Sequence, residues 1–307
     1  MKQAMTDLSA AFGRLSGNVR GALWMLASAV TFTLMTSLIK FLGDDYSPAL
    51  QTFYRQAAGL VVLAPIILRD PIGAFRTSRP GILLYRSLAG TLGLVLAFWA
   101  YQRLPLAEAN ALSFTRTLWI VPLAIFVLRE QVGAWRLGAT LAGFGGVLIM
   151  LQPQVANAVG LPAGAALASA ALFATTVTGI KMMTRDHAVT VLMVWSAALG
   201  FVLAIPMAVL EWRWPAPLDL ALLCAMGVLG LLNQVFYIKG MALGDAAAMA
   251  PLDYTRLIFA VLIGFALFHE VPNLITMLGA LIVIVSTLVI TLRELHFRQK
   301  PAPVRAD

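Results

Sequence analysis

LSFTRTLWIVPLAIFVLRE, residues 112–130, returns in altered form as LDYTRLIFAVLIGFALFHE, residues 252–270. The two stretches lie 140 residues apart and share the triplets Phe114-Thr115-Arg116 and Tyr254-Thr255-Arg256. Fourteen residues after each arginine comes a glutamate, in Leu128-Arg129-Glu130 and Phe268-His269-Glu270. Charge inside such an apolar run is expensive in hydrocarbon and is kept where it has work to do. One unit has been used twice, and its setting is a membrane.

The rest of the chain agrees. Of 307 residues, 60% are hydrophobic and 12% charged, about half the charged share of ordinary soluble domains. A soluble protein of this length could not solvate its surface with so few charges. The apolar residues fall in runs of roughly 20, the length that crosses ~30 Å of hydrocarbon as a helix. The net charge of +8 would suggest nucleic acid in a soluble chain. Here the positive charges lie between apolar runs and act as an orientation signal, so no nucleic-acid partner is expected. Cys224 is the lone cysteine, so no intrachain disulfide forms. Ala27-Ser28-Ala29 mimics a signal-cleavage triplet, but about five apolar residues precede it, too few for the ~7–15 of a signal peptide. No cleavage is expected there.

The runs read as an all-α membrane protein of ten transmembrane helices. The first five are Gly21 to Leu42, Ala49 to Leu68, Ile82 to Tyr101, Glu108 to Leu128 and Trp135 to Leu151. The second five are Ala163 to Met183, Val189 to Leu210, Leu218 to Ile238, Ala246 to Phe268 and Leu274 to Leu292. Short links such as Gly43-Asp44-Asp45, Arg69-Asp70-Pro71 and Leu104-Pro105 make consecutive spans antiparallel neighbours. With the N-terminus inside, sixteen Lys and Arg fall on the inner side, Arg86 among them, and three on the outer side: Lys40, Arg103 and Arg213. That asymmetry places both termini in the cytoplasm. Trp212 and Trp214 mark the outer interface.

The repeat extends beyond the arginines. At an offset of 141, Ser28, Phe32 and Lys40 match Ser169, Phe173 and Lys181, and Pro65 matches Pro206. Two five-span repeats, 19–152 and 161–293, are expected between cytoplasmic tails 1–18 and 294–307. An odd number of spans brings the second copy in from the opposite side, so the repeats are inverted about a pseudo-twofold axis in the membrane plane. Both arginines then lie near the midplane, the usual place for substrate sites in secondary transporters.

Leu104-Pro105-Leu106-Ala107-Glu108-Ala109 has its second-half partner in Ala242-Leu243-Gly244-Asp245-Ala246, Leu128-Arg129-Glu130 in Phe268-His269-Glu270, with Pro251 to Arg256 between, and Leu137-Gly138-Ala139 in Leu278-Gly279-Ala280. With these motifs the chain resembles the drug/metabolite transporter superfamily, in particular the bacterial EamA-type proteins. The resemblance implies export or uptake of small organic solutes by alternating access. It also implies a cavity lined by spans one, three, four, six, eight and nine, with spans five and ten at the periphery. Many relatives carry proline near the position of Arg116, so the substrate of amino-acid exporters does not carry over.

Candidate substrate-binding residues are Arg116, Arg256, Asp253, Tyr254, Phe98, Trp99, Asn233, Gln234 and Tyr237. A central guanidinium either holds helices together through a salt bridge or carbonyls, or grips a carboxylate or phosphate of the solute by two parallel bonds. Asp253 lies three residues before Arg256 on one helix face and is the candidate coupling residue, as proton carrier or as permanent partner of Arg256. Arg55 is expected to pair with Glu108 or to lie near the outer interface. Glu130 and Glu270 are candidate gates at span ends. Gly138, Ala142 and Gly146 permit close packing inside the protein or in a homodimer. There is no G-x-x-x-x-G-K-[ST] motor motif. His187, His269 and His296 are scattered, so neither a metal site nor a cofactor is expected. The expected function is secondary transport of a small organic metabolite, amino-acid-like or cofactor-like, anionic or zwitterionic with an apolar part. The alternatives are a membrane-embedded enzyme and a receptor or structural membrane protein.

Overall fold

The computed structural model describes residues 16–43, 45–126, 133–151, 160–183, 189–243 and 249–298. The first half holds α1 (Gly17–Phe41), α2 (Pro48–Arg69), a short α3 (Pro71–Phe75), α4 (Pro80–Arg103), α5 (Leu106–Phe114), α6 (Arg116–Phe126) and α7 (Ala134–Leu151). The second holds α8 (Gly160–Met183), α9 (Val189–Leu210), α10 (Pro217–Leu243), a 3-10 turn (Ala250–Tyr254), α11 (Thr255–Phe268) and α12 (Leu274–Arg298). Proline opens α2, α3 and α4, where its missing N–H costs nothing because first-turn donors have no partner in the helix. Ser47 caps α2 through the amide of Leu50 (3.3 Å), and Asp70 caps α3 through the amide of Gly73 (2.9 Å).

Gly17–Phe41, Pro80–Arg103, Leu106–Phe126, Val191–Leu210 and Pro217–Leu243 are each long and apolar enough to cross a bilayer. Two expected spans are not single α-helices. The fourth is interrupted at Thr115, where the amide donates to Leu112 at 3.1 Å, so α6 starts at Arg116. The ninth is interrupted by the Ala250–Tyr254 3-10 turn just before α11 starts at Thr255.

The packing obeys the inversion. α1 packs along α10, and α4 along α8; α2 on α10 is matched by α4 on α9; α1 on α11 is matched by α6 on α8. The pairs α2 with α9 and α7 with α12 are their own counterparts. Exchanging the halves therefore exchanges these contacts, as a twofold relation requires. The repeat-related Ser28 and Ser169 each bond a carbonyl in the other half. Ser28 donates to the Asn233 carbonyl at 3.2 Å, and Ser169 donates to the Gly93 carbonyl at 2.7 Å. Lipid tails are as apolar as leucine, so hydrogen bonds and close packing of this kind hold membrane helices together.

α7 and α12 touch most closely where Gly146 faces Gly279. A Cβ on Gly146 would stand 2.8 Å from the Gly279 carbonyl oxygen, and one on Gly279 would stand 2.6 Å from that of Gly146. The stripe of small residues read from the sequence is thus divided. Gly146 is buried against α12, while Gly138 and Ala142 lie on the exposed face. The largest core cluster gathers near the end of the bundle that carries Lys40. Ile39, Leu42, Leu50, Leu104, Leu106 and Leu223 are all buried there.

Candidate functional site

A cavity of about 630 Å³ lies between the halves. α1, α4, α5, α6, α8, α10, α11 and the 3-10 turn all contribute to its wall, as the resemblance implies, and α7 and α12 do not. α2 and α9 also reach it, through Arg55, Gln56 and Leu63 and through Leu192, Met193 and Ser196.

Arg256, on the first turn of α11, is 9% exposed. Its guanidinium lies 4.2 Å from the ring centre of Phe114 and 4.8 Å from that of Phe32. It donates to the Ser113 hydroxyl at 3.3 Å and stands 3.8 Å from a carboxylate oxygen of Asp253. Insertion of a central charge costs about 2.5–3.5 kcal/mol. A desolvated cation–π contact returns up to about 2 kcal/mol, so two rings, a hydroxyl and a carboxylate balance Arg256.

Arg116 opens α6 and also lines the cavity. It is only partly buried, and it makes no ion pair or side-chain hydrogen bond to another described residue. Arg116 and Arg256 each stand just after the tightened turn that interrupts their spans.

Phe98, Asn233, Gln234, Tyr237 and Asp253 are in the cavity wall. Asn233 accepts from the Ser28 hydroxyl at 2.7 Å, which fixes its amide. Trp99 and Tyr254 are not in the wall. Trp99 follows Phe98 by one residue and so points about 100° away from it around the helix. Tyr254 packs on Phe114 with ring centres 4.5 Å apart and donates its hydroxyl to Thr287 at 2.5 Å, which turns it toward α12.

Two arginines in the wall went unnoticed as candidates in the sequence. Arg55 was expected beside Glu108 or at an interface. Instead it faces the cavity next to Gly230 and donates to the Gln56 side chain at 3.3 Å, with no ion pair to Glu108. Arg86, counted among the orientation charges, lies inside α4 and donates to the Leu192 carbonyl at 3.3 Å and to the Ser196 hydroxyl at 2.5 Å.

The Lys40 end is closed over this cavity. Lys40 forms an ion pair with Glu270 and donates to the Leu104 carbonyl at 2.6 Å. The other oxygen of Glu270 accepts from the Leu106 amide at 2.8 Å. His269, at φ 54°, is the one non-glycine residue with positive φ among the described residues. This left-handed C-cap returns the Glu270 amide to the Gly264 carbonyl at 3.0 Å and turns Glu270 back toward α5. Tyr46 ties the halves again by donating to Asp219 at 2.7 Å. Glu130, the repeat counterpart of Glu270, lies outside the described residues.

The model of the EamA-like transporter family matches residues 19–152 and again 161–292. The chain is 28% identical over 276 residues to the S-adenosylmethionine uptake transporter of Rickettsia prowazekii, covering 90% of this chain and 94% of that one. It is 30% identical over 292 residues to the riboflavin transporter of Rhizobium johnstonii, covering 92% and 95%. It is 25% identical over 272 residues to the pseudopaline exporter CntI of Pseudomonas aeruginosa, covering 88% and 95%. A crystal structure with 18% identity shares the fold at a TM-score of 0.61, over 90% of this chain and 98% of that one.

Proposed function

The chain belongs to the EamA-like transporter family, and from that premise we propose that it carries a small organic anion or zwitterion with an apolar part by alternating access, holding the charged group between Arg116 and Arg256. That it is a multi-pass secondary transporter of small metabolites, and not an enzyme, follows from the family and its relatives. The solute class is our reading. It rests above all on Arg116, a guanidinium in the cavity wall with no acidic partner among the described residues.

The wall supports the rest of the description. Phe32, Phe98, Tyr101 and Phe173 give it a broad aromatic area, suited to a flat or apolar portion. S-adenosylmethionine and riboflavin, named for two relatives, both contain flat ring systems. With the termini in the cytoplasm of a bacterial cell, as the Lys and Arg distribution indicates, the sealed Lys40 end faces outward. Glu270 is then an outer gate, and solute reaches the arginines from the cytoplasmic side. Asp253 couples transport to protons when its carboxylate exchanges Arg256 for a proton.

The test is a melting-temperature screen of purified full-length protein against metabolites that include S-adenosylmethionine and riboflavin. A binder of the native state raises the melting temperature. We expect the binders to carry a carboxylate or phosphate and to lose their effect in Arg116→Gln. Binders that stabilise that variant as well as the wild type would remove the central-anion reading.

A further inference from the structure

Arg55 and Arg86 are further charges in the same wall, and the central pair leaves them unexplained. Among the described residues, four arginines line the cavity (Arg55, Arg86, Arg116 and Arg256) against one carboxylate, Asp253, which stands beside Arg256. Glu270 is engaged at the Lys40 end. Among the described residues, Arg55 and Arg86 have only neutral acceptors: the Gln56 amide oxygen for Arg55, and the Leu192 carbonyl and Ser196 hydroxyl for Arg86. The Nε of each is buried without a hydrogen-bond partner. Neutral acceptors orient a guanidinium but leave its charge uncompensated.

The two side chains belong to one arrangement. Gln56 follows Arg55 and donates to the Ser196 carbonyl at 3.4 Å, while Arg86 donates to the Ser196 hydroxyl. The 141-residue offset of the second span makes Ser196 the repeat counterpart of Arg55. Arg55 also packs on Gly227 of α10, where a Cβ would stand 3.3 Å from the Arg55 Cα. On α10, Gly230 leaves the space that Arg55 fills, because a Cβ there would be 3.0 Å from the Arg55 Nε.

We propose that Arg55 and Arg86 form a second anion-binding pair in this cavity, so that the carried solute bears two separated carboxylate or phosphate groups, one for each arginine pair. The proposal rests on the central-anion reading. It goes further by fixing the number of anionic groups and the residues that receive the second one. Guanidinium forks suit planar oxyanions, and Ser196 and Gln56 add neutral hydrogen-bonding groups beside them.

Titration calorimetry on the purified full chain tests it, with benzoate, benzene-1,3-dicarboxylate and 3-carboxyphenyl phosphate as probes. The dicarboxylate is expected to bind the wild type about tenfold or more tightly than benzoate, the gain of one further charge-assisted contact. Arg55→Gln and Arg86→Gln should each erase that preference. Arg116→Gln should weaken every probe. The phosphate probe distinguishes the two oxyanions by binding more or less tightly than the dicarboxylate. Where a Gln variant fails to fold, Arg55→Lys or Arg86→Lys keeps the charge without the fork, and a severalfold cut in the preference supports the pair. Equal binding of benzoate and the dicarboxylate to wild type, or a preference unchanged in the variants, overturns the second pair alone. Failure of all three probes to bind overturns the central reading with it.

Discussion

Arg116 and Arg256 occupy equivalent places in two copies of one unit, yet their surroundings differ. Arg256 is held by Phe32, Phe114, Ser113 and Asp253. The repeat assigns Arg116 the counterparts Phe173, Tyr254 and Asp253, at offsets of 141, 140 and 140, and it is paired with none of them. The difference teaches that sequence symmetry need not mean conformational symmetry. Inverted repeats that adopt unequal shapes are what open a transporter to one side at a time. Arg256 here is part of the closed framework, and Arg116 is the charge left available.

The largest effect that would break this contrast is expected at Arg116. Arg116→Gln should cut solute flux in proteoliposomes by about 100-fold or more, the loss of at least two charge-assisted bonds. Its melting temperature should not fall. Arg256→Gln should abolish flux as well, but with about 2–3 kcal/mol of lost stability, because Asp253 and two rings lose their partner. Equal melting temperatures for the two variants would mean that the static contrast has no energetic content. Asp253→Asn should leave downhill exchange running and remove any dependence of flux on a pH gradient. A gradient response retained in that variant excludes Asp253 from coupling. Glu270→Gln should loosen the Lys40 end and speed thiol labelling of a cysteine placed at Phe98, measured in a Cys224→Ser background. The smallest effect is on packing. Gly146→Val should cost about 1–3 kcal/mol by overpacking α12, while Gly138→Val on the exposed face should be nearly neutral.

Much of the fold was legible because apolar run length and charge placement are set by the bilayer itself. The interruptions at Thr115 and at Ala250–Tyr254 were hidden, since a helix and a helix with one tightened turn share the same hydropathy. Pro251 was the available signal for the second. The site was read less fully. Arg55 and Arg86 escaped because neither has an arginine at its counterpart in the other half, so a search for recurring arginines passes over them. Trp99 was grouped with Phe98 by proximity in sequence, where helical periodicity separates them. Tyr254 was grouped with Arg256, though its hydroxyl finds Thr287. In both cases the direction of a side chain, which depends on its neighbours, decided the outcome.

The pairing of α7 with α12 maps onto itself when the halves are exchanged. Whatever rearrangement trades one conformation for its mirror image can therefore leave this seam untouched, and α7 with α12 becomes the stationary axle about which the remaining helices rock. A covalent tether across that seam should leave turnover intact, whereas a tether between positions 40 and 270 should stop it.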